Sequence, residues 1–317
     1  MSPENITTGK KVRALLISCG EACIMIMLGQ ILGMFIMGFI SGILNIFISD
    51  IDTSDIWQTT VDYGFFIGIW LVTLLILKVS KKKRPILQAV NTKPDGNNIF
   101  KFMFGILTGF VLNGVCILVA WIHGDIVIYF ESFRPLSFVL IFAMVLIQSS
   151  AEELICRGFL YQMLIKNFKN PAVAIVGNSL LFASLHLGNN GITVLSFIDI
   201  CLSGILFSLM VYYMDSLWCA FAGHTAWNFT QAIIFGLPNS GNPAVYSVFK
   251  IDSDNSRNSF AYNVIFGIEG TVFSVIVLAL ACVALYLWGR KYGKKPFDVW
   301  EENYELVTGI NQNENQY

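Results

Sequence analysis

The sequence predicts an all-α, polytopic integral membrane protein, built as a helical bundle of about eight transmembrane helices. Of its 317 residues, 55% are hydrophobic and only 13% are charged, whereas about a quarter of the residues in a soluble domain are charged. The mean hydropathy of +0.65 leaves no room for a large soluble domain. The few charges are also segregated along the chain, as the membrane interpretation requires.

Eight stretches of the chain are apolar enough to cross a bilayer, which takes about 20 residues of helix. They are residues 14–48, 61–79, 100–122, 136–156, 171–188, 194–213, 216–236 and 263–288. The fourth helix is expected to continue beyond the membrane to about Lys166. The bundle then occupies residues 14–289, between the tails 1–13 and 290–317.

Small residues in the first apolar stretch predict close helix packing. Gly29, Gly33, Gly38 and Gly42 form two small-xxx-small pairs, which allow helices to approach closely. We favour packing inside the bundle over dimerisation.

Basic residues predict the orientation. Sixteen of the 20 lysines and arginines fall before the first apolar stretch, after the last, or in alternate loops that lie on the same side as both termini. Because basic residues concentrate on the cytoplasmic side of membrane proteins, both termini are predicted to be cytoplasmic.

Polar residues cluster in three of the apolar stretches, within residues 136–236. The clusters are Glu152–Arg157 (Glu-Glu-Leu-Ile-Cys-Arg), Phe182–His186 (Phe-Ala-Ser-Leu-His) and His224–Asn228 (His-Thr-Ala-Trp-Asn). Charges inside spanning helices are costly and usually functional. At about 1.5 Å rise per residue, the three clusters reach comparable depths, so we expect them to meet inside the bundle.

Helical phase separates the two neighbouring glutamates. Glu153 and Arg157 are four residues apart and are predicted to pair along one helix face. Glu152 lies about 100° around the helix and keeps an unpaired carboxylate, which suits a general base. Gln148 and Ser149, one turn earlier, are candidate hydrogen-bonding partners of Glu152 and Glu153.

His224 and Asn228 are also four residues apart, so their side chains project together. A histidine beside an amide can bind a water molecule, a metal ion or a developing oxyanion. A purely structural polar cluster remains the alternative.

Three other polar residues receive structural interpretations. His123 is expected at a membrane interface without a local partner. Asp215 is expected to act as a cap in a turn, and Glu269 to interact with the positive start of the last helix.

The three clusters resemble the signature of the CAAX-protease and bacteriocin-processing (CPBP) family of intramembrane endopeptidases. That signature is EExxxR, then FxxxH, then HxxxN, and here it is complete and in order. A later stretch, Phe266–Gly270, resembles one that is common in bacterial members. The resemblance is strong over residues 136–236, whereas the first three helices share only their hydrophobicity with the family.

The resemblance implies hydrolysis of a peptide bond by an activated water molecule. Glu152 would be the base, and the groups that hold the water or a metal and stabilise the oxyanion would be His186, His224 and Asn228.

Glu153 and Arg157 would support this site. Arg157 could alternatively bind a substrate carboxylate, since its guanidinium suits bidentate capture.

The family is described both as metalloprotease and as glutamic protease, so the cofactor is either none or Zn²⁺. His186 and His224 would be the zinc ligands if zinc is used. We favour metal-independent chemistry, because two histidines and an amide make a poor closed zinc site.

The resemblance further implies a location in the cytoplasmic membrane of a bacterium. The expected partners are membrane lipids and a peptide or lipidated protein substrate, with no nucleic acid. The alternative function is a non-proteolytic membrane protein, such as a bacteriocin-immunity or scaffold factor. A proton-coupled transporter is less favoured, because no internal repeat is visible.

Overall fold

The computed structural model describes residues 8–302, so residues 1–7 and 303–317 of the two predicted tails lie outside it. The helices are α1 (Thr8–Phe47), α2 (Asp55–Gly64), α3 (Ile67–Val79), α4 (Ile99–Ile122), α5 (Pro135–Glu153), α6 (Tyr161–Phe168), α7 (Pro171–Leu185), α8 (Val194–Met214), α9 (Leu217–Asn228) and α10 (Val272–Tyr292). Two π-helical segments, which we name π1 and π2, are Leu154–Leu160, between α5 and α6, and Phe229–Ile234, after α9. Short single turns are Ile51–Thr53, Arg84–Ile86, Leu87–Val90 and Val299–Glu302.

The predicted all-α polytopic membrane bundle is confirmed. Each of the eight predicted stretches contains a helix, and the fourth continues from Pro135 to Phe168, beyond the predicted Lys166. Within residues 8–302, however, six helical segments are long and apolar enough to span a membrane, so the count of eight is not confirmed. The two predicted spans that are not long and apolar enough are the short α7 and the segment formed by α9 and π2, which contains several polar residues.

Side-chain caps determine where the helices around the site begin. Asn170 accepts a hydrogen bond from the backbone of Ala172 at the start of α7, and Thr193 forms a capping box with Ser196 at the start of α8. At the start of α9, the Ser216 side chain accepts a hydrogen bond from the backbone of Cys219. Such caps satisfy backbone N–H groups that have no partner within the helix.

The predicted start of the last helix, at residue 263, is wrong. Helix α10 begins at Val272, where the Thr271 side chain accepts a hydrogen bond from Ser274 N. Gly267 and Gly270 have φ values of 95° and 75°, which interrupt the helix even though the stretch is apolar. The Phe266–Gly270 stretch is therefore a loop.

Helix α9 is the central element of the bundle. All its residues except Trp218 are buried. Helix α4 packs closely against α9 at two glycines, Gly105 and Gly109, which have no side chain to keep the helices apart. A Cβ atom at these positions would lie 2.3 or 2.1 Å from a carbonyl oxygen of α9. This tight crossing fixes the position of the polar residues on α9.

The first glycine pair of α1 packs inside the bundle, as predicted. A Cβ at Gly33 would lie 1.6 Å from Phe65 O, and one at Gly29 would lie 2.5 Å from the Cα of Ile69. A Cβ at Gly38 or Gly42 would have no other atom within 4 Å. The internal packing of this second pair is therefore not borne out among the described residues.

We expect Gly33→Ala to lower the free energy of unfolding by about 1–3 kcal/mol, because its methyl group would overlap the backbone of Phe65. Thermal unfolding of the purified protein in detergent measures this effect. Gly38→Ala, on the same helix, is the control and should not lower stability, because its methyl group meets no neighbouring atom and alanine favours a helix over glycine by up to about 1 kcal/mol. Equal effects of the two substitutions would contradict the packing.

The face of the bundle away from most basic residues carries a two-stranded antiparallel sheet, formed by β1 (Ile128–Phe130) and β2 (Phe249–Ile251). Next to it, the buried Asp125 carboxylate accepts a hydrogen bond from Ser259 Oγ at 2.6 Å and lies 2.9 Å from His123 Nδ1. The prediction that His123 has no local partner is wrong, because the turn at Gly124 brings Asp125 back to it. Burial raises the pKa of Asp125, but these hydrogen bonds outweigh burial and lower it.

Candidate active site

A cavity of about 710 Å³ lies between the helices and the loop that follows π2. Four predicted site residues line it, and they are Glu152, His186, His224 and Asn228. Glu153 and Arg157 do not line it and lie behind the wall, both with fully buried side chains. The three sequence clusters therefore meet at one place, as expected, while the chemical roles of their residues stay predictions.

Glu152 is the carboxylate that opens into the cavity. Its side chain is 22% exposed, and its Oε2 lies 3.8 Å from His224 Nε2. Gln148 Nε2 donates a hydrogen bond to Glu152 Oε1 at 2.7 Å, which confirms the predicted partner one turn earlier. Glu152 forms no ion pair with Arg157, and its carboxylate faces the cavity beside His224.

Glu153 and Arg157 form the predicted ion pair. Arg157 Nη1 donates to Glu153 Oε1 at 2.8 Å, and Nη2 donates to Gly204 O at 2.9 Å. The guanidinium carbon lies 4.7 Å from the ring centroid of Phe182. Because the Arg157 side chain is fully buried behind the cavity wall and paired with Glu153, it is not available to a substrate carboxylate in this conformation.

His224 is held by the buried ion pair, a contact that the sequence did not reveal. Its Nδ1 lies 3.0 Å from Glu153 Oε1, and its ring stacks on Phe207 with a centroid separation of 5.2 Å. A carboxylate accepts hydrogen bonds, so Nδ1 carries the hydrogen and Nε2 is the nitrogen that approaches Glu152.

His186 ends α7, and its ring folds back over the last turn. Its Nδ1 lies 2.8 Å from Phe182 O. Because a carbonyl oxygen accepts, Nδ1 is again the donor, and Nε2 remains for other contacts. The four-residue spacing of Phe182 and His186 thus has a physical reason, since it places the imidazole over the carbonyl one turn earlier.

Asn228 belongs to a chain of amides that ends on Glu152. Its Nδ2 donates to Gln148 Oε1 at 3.1 Å and to Ser149 Oγ at 3.2 Å. Ser149 Oγ donates in turn to Gln148 Oε1 at 3.0 Å, so its predicted contact with Glu153 is wrong. These bonds fix the amide of Gln148, which in turn orients the Glu152 carboxylate.

Glu269 lines the cavity, although it was predicted to interact with the start of the last helix. Instead of the helix end, its carboxylate accepts hydrogen bonds from Trp227 Nε1 at 3.0 Å and Ser240 Oγ at 2.7 Å. Burial raises the pKa of Glu269. The resemblance of the Phe266–Gly270 stretch to bacterial family members was the one signal that pointed to this loop.

Asp215 is the C-cap residue of α8, as predicted, and its side chain has a further role. It ends α8 with a φ of 52°, and its carboxylate accepts hydrogen bonds from the backbone of Asp95 and Phe297. It therefore ties together three chain segments at the end of the bundle that carries most basic residues.

The zinc alternative requires at least three protein ligands gathered around one point. Within residues 8–302, no group of three histidine, cysteine, aspartate or glutamate side chains is arranged to hold a metal ion. The Nδ1 atoms of His186 and His224 contact protein acceptors, which leaves each Nε2 open, as in histidines that ligate metals, but no third ligand is arranged with them among the described residues. Among residues 8–302, the donor set therefore does not fit the zinc alternative.

Fold and site together define a polytopic helical membrane protein with a carboxylate, two histidines and an amide around an internal cavity. Residues 134–230 match the family model described as type II CAAX prenyl endopeptidase Rce1-like. This match confirms the predicted family resemblance, and the segment contains all six predicted site residues. At the level of the family, it supports an intramembrane peptidase of CAAX-protease type.

A similar protein extends the likeness beyond that segment. Uncharacterized protein YyaK of Bacillus subtilis (strain 168) is 27% identical over 250 residues, which are 76% of this chain and 77% of that protein. The shared region is thus most of the helical bundle rather than the site alone.

Proposed function

We propose that the protein is an intramembrane endopeptidase in which Glu152 activates a water molecule for attack on a peptide bond. One observation carries this proposal: of the two adjacent glutamates, Glu152 opens into the cavity beside His224, while Glu153 is enclosed by Arg157. One carboxylate is thus available for proton transfer, and the other serves to position its neighbours.

The geometry around Glu152 suits a nucleophilic water. A water about 2.8 Å from Glu152 Oε2 and from His224 Nε2 donates one hydrogen to each, because both atoms accept. Its oxygen lone pairs then face the substrate carbonyl. Glu152 takes the proton as the new C–O bond forms and returns it to the departing amine.

The surrounding residues have separate roles in this proposal. Glu153 and Arg157 hold the His224 tautomer, and Asn228 acts through Gln148 on Glu152. His186 stabilises the oxyanion from Nε2 when its ring is protonated.

Comparison of peptide termini in cells tests the proposal. Cells that produce the wild type should contain cleaved membrane-adjacent peptides that are missing when Glu152→Gln replaces it. Glu131→Gln, at a solvent-accessible carboxylate outside the cavity, is the matched control and should restore the wild-type set. Identical termini for the wild type and Glu152→Gln would contradict the proposal and favour the non-proteolytic alternative.

Cleavage is expected to survive removal of divalent metals, because the described donors do not form a zinc site. The activity of purified protein is measured before and after treatment with a zinc chelator, together with its zinc content. Stoichiometric zinc whose loss abolishes cleavage, and whose return restores it, would overturn this expectation.

We also propose that lipids surround the bundle and that both chain ends face the cytoplasm of a bacterial cell. Large apolar side chains that are exposed on the helices support the lipid contact, among them Phe35, Phe39, Phe47, Phe100 and Leu136. The segregation of basic residues supports the orientation.

A further inference from the structure

The cavity wall carries three carboxylates and no lysine or arginine side chain, and its two imidazoles are those of His186 and His224. Asp62, Glu152 and Glu269 line it, and none of the lysines and arginines of residues 8–302 does. All 20 lysines and arginines of the chain lie within residues 8–302, so no other part of this chain can supply one. Arg157, behind the wall, is neutralised by Glu153.

This charge distribution discriminates between substrates. A free C-terminal carboxylate that entered the cavity would approach carboxylates without a guanidinium or ammonium partner, and like charges repel strongly where water is scarce. A lysine or arginine side chain would instead be attracted. The electrostatics therefore favour a substrate that is cleaved at an internal peptide bond near a cationic side chain. A substrate that inserts its free C-terminal carboxylate is disfavoured.

Asp62 is the group that can receive such a cation. It lies on α2, within a predicted span, and its exposed side chain borders the cavity. It forms no hydrogen bond or ion pair within residues 8–302, although an unpaired charge in a spanning helix is costly and usually functional. Tyr63, Phe65 and Phe66 line the cavity beside it, and aromatic faces attract ammonium and guanidinium groups.

We propose that the cavity selects peptides with a lysine or arginine near the scissile bond and that Asp62 binds this cationic side chain. The inference rests on the proposed endopeptidase function and adds the class of its substrate. Asp62 is then a specificity-determining residue, outside the group that performs proton transfer.

Matched peptides test the charge preference. Quenched-fluorescent peptides that differ at one position, with Lys, Gln or Glu, are offered to the full-length protein in liposomes, each with a free or an amidated C-terminus. We expect kcat/KM to be at least about tenfold higher for the Lys peptide than for the Glu peptide, and higher for amidated than for free termini. Asp62→Asn should reduce the Lys-to-Glu ratio to near one, and Asp62→Lys should reverse it.

Asp55→Asn is the matched control, because this exposed aspartate lies on the same helix and does not line the cavity. It should keep the wild-type ratio. A second measurement, the binding of the same peptides to Glu152→Gln by fluorescence anisotropy, does not depend on turnover.

The two readouts separate the inference from the function on which it rests. Cleavage that depends on Glu152 but shows no charge preference would overturn the inference and leave the endopeptidase standing. Binding of the Lys peptide that depends on Asp62, without cleavage of any peptide, would support the charge selection and count against the endopeptidase. Equal binding of all peptides without cleavage would overturn both.

Discussion

Glu152→Gln is expected to lower kcat by about a thousandfold, within the range that general acid–base groups contribute. The amide cannot take a proton from the attacking water, while its oxygen can still accept the hydrogen bond from Gln148. KM should change little, because the substituted side chain has nearly the same shape. Steady-state kinetics in liposomes, on a substrate found by comparing peptide termini, provide both constants.

Thermal unfolding of the same variant supplies the control. The midpoint should stay close to that of the wild type, because Glu152 borders the cavity and the Gln148 bond is kept. An unfolded or strongly destabilised Glu152→Gln would mean that the glutamate serves packing. A correctly folded variant with kcat within about threefold of the wild type would remove Glu152 from the proposed proton transfer.

Arg157→Met is expected to lower the free energy of unfolding by about 3–5 kcal/mol, because it leaves a buried carboxylate without its cation. Glu153 has a fully buried side chain, and its Oε2 has no hydrogen-bond partner among the described residues. The charge therefore depends on the one oxygen that faces Arg157 and His224. Equilibrium unfolding in mixed detergent micelles measures the loss.

Two further variants distinguish charge from packing. The double variant Glu153→Gln with Arg157→Met removes both charges and should recover most of the lost stability. Arg290→Met, at an exposed arginine near the end of α10, should change stability by no more than about 0.5 kcal/mol. If Arg157→Met proves as stable as the wild type, the ion pair is not a principal contributor to the fold.

Much of the site was predictable from local spacing. The Glu153–Arg157 pair and the support of Glu152 by Gln148 follow from side chains four residues apart on one helix face. The convergence of three distant clusters followed from their similar depth in the membrane. Each of these inferences uses the regular geometry of a single helix or the fixed thickness of a bilayer.

Other contacts depend on how helices rotate against one another, which spacing does not determine. His224 lies 71 positions from Glu153, and nothing in either segment indicates which of its neighbours the imidazole will face. The start of α10 was missed because an apolar stretch hides the two glycines whose positive φ angles end helical geometry. Glu269 was misassigned for the same reason, since its loop could not be told from a helix start.

The number of spans shows a related limit. Hydrophobicity identifies helices that face lipid, but α9 with π2 is shielded by its neighbours and carries two polar residues of the site, His224 and Asn228. Its composition therefore falls between that of a spanning helix and that of a soluble one. As a result, α9, which is central to the site, is less hydrophobic than the helices that qualify as membrane spans.

Glu153 Oε1 accepts from both Arg157 and His224, and this shared atom limits how the protein can be redesigned. Exchanging the ion pair for apolar residues of similar size is often neutral or stabilising in other proteins. Here the same exchange would release the imidazole and let its ring tautomer change. Under the proposed function, gains in thermal stability at these positions would lower turnover. Engineering for stability is therefore better directed to the exposed apolar surfaces of α1 and α4.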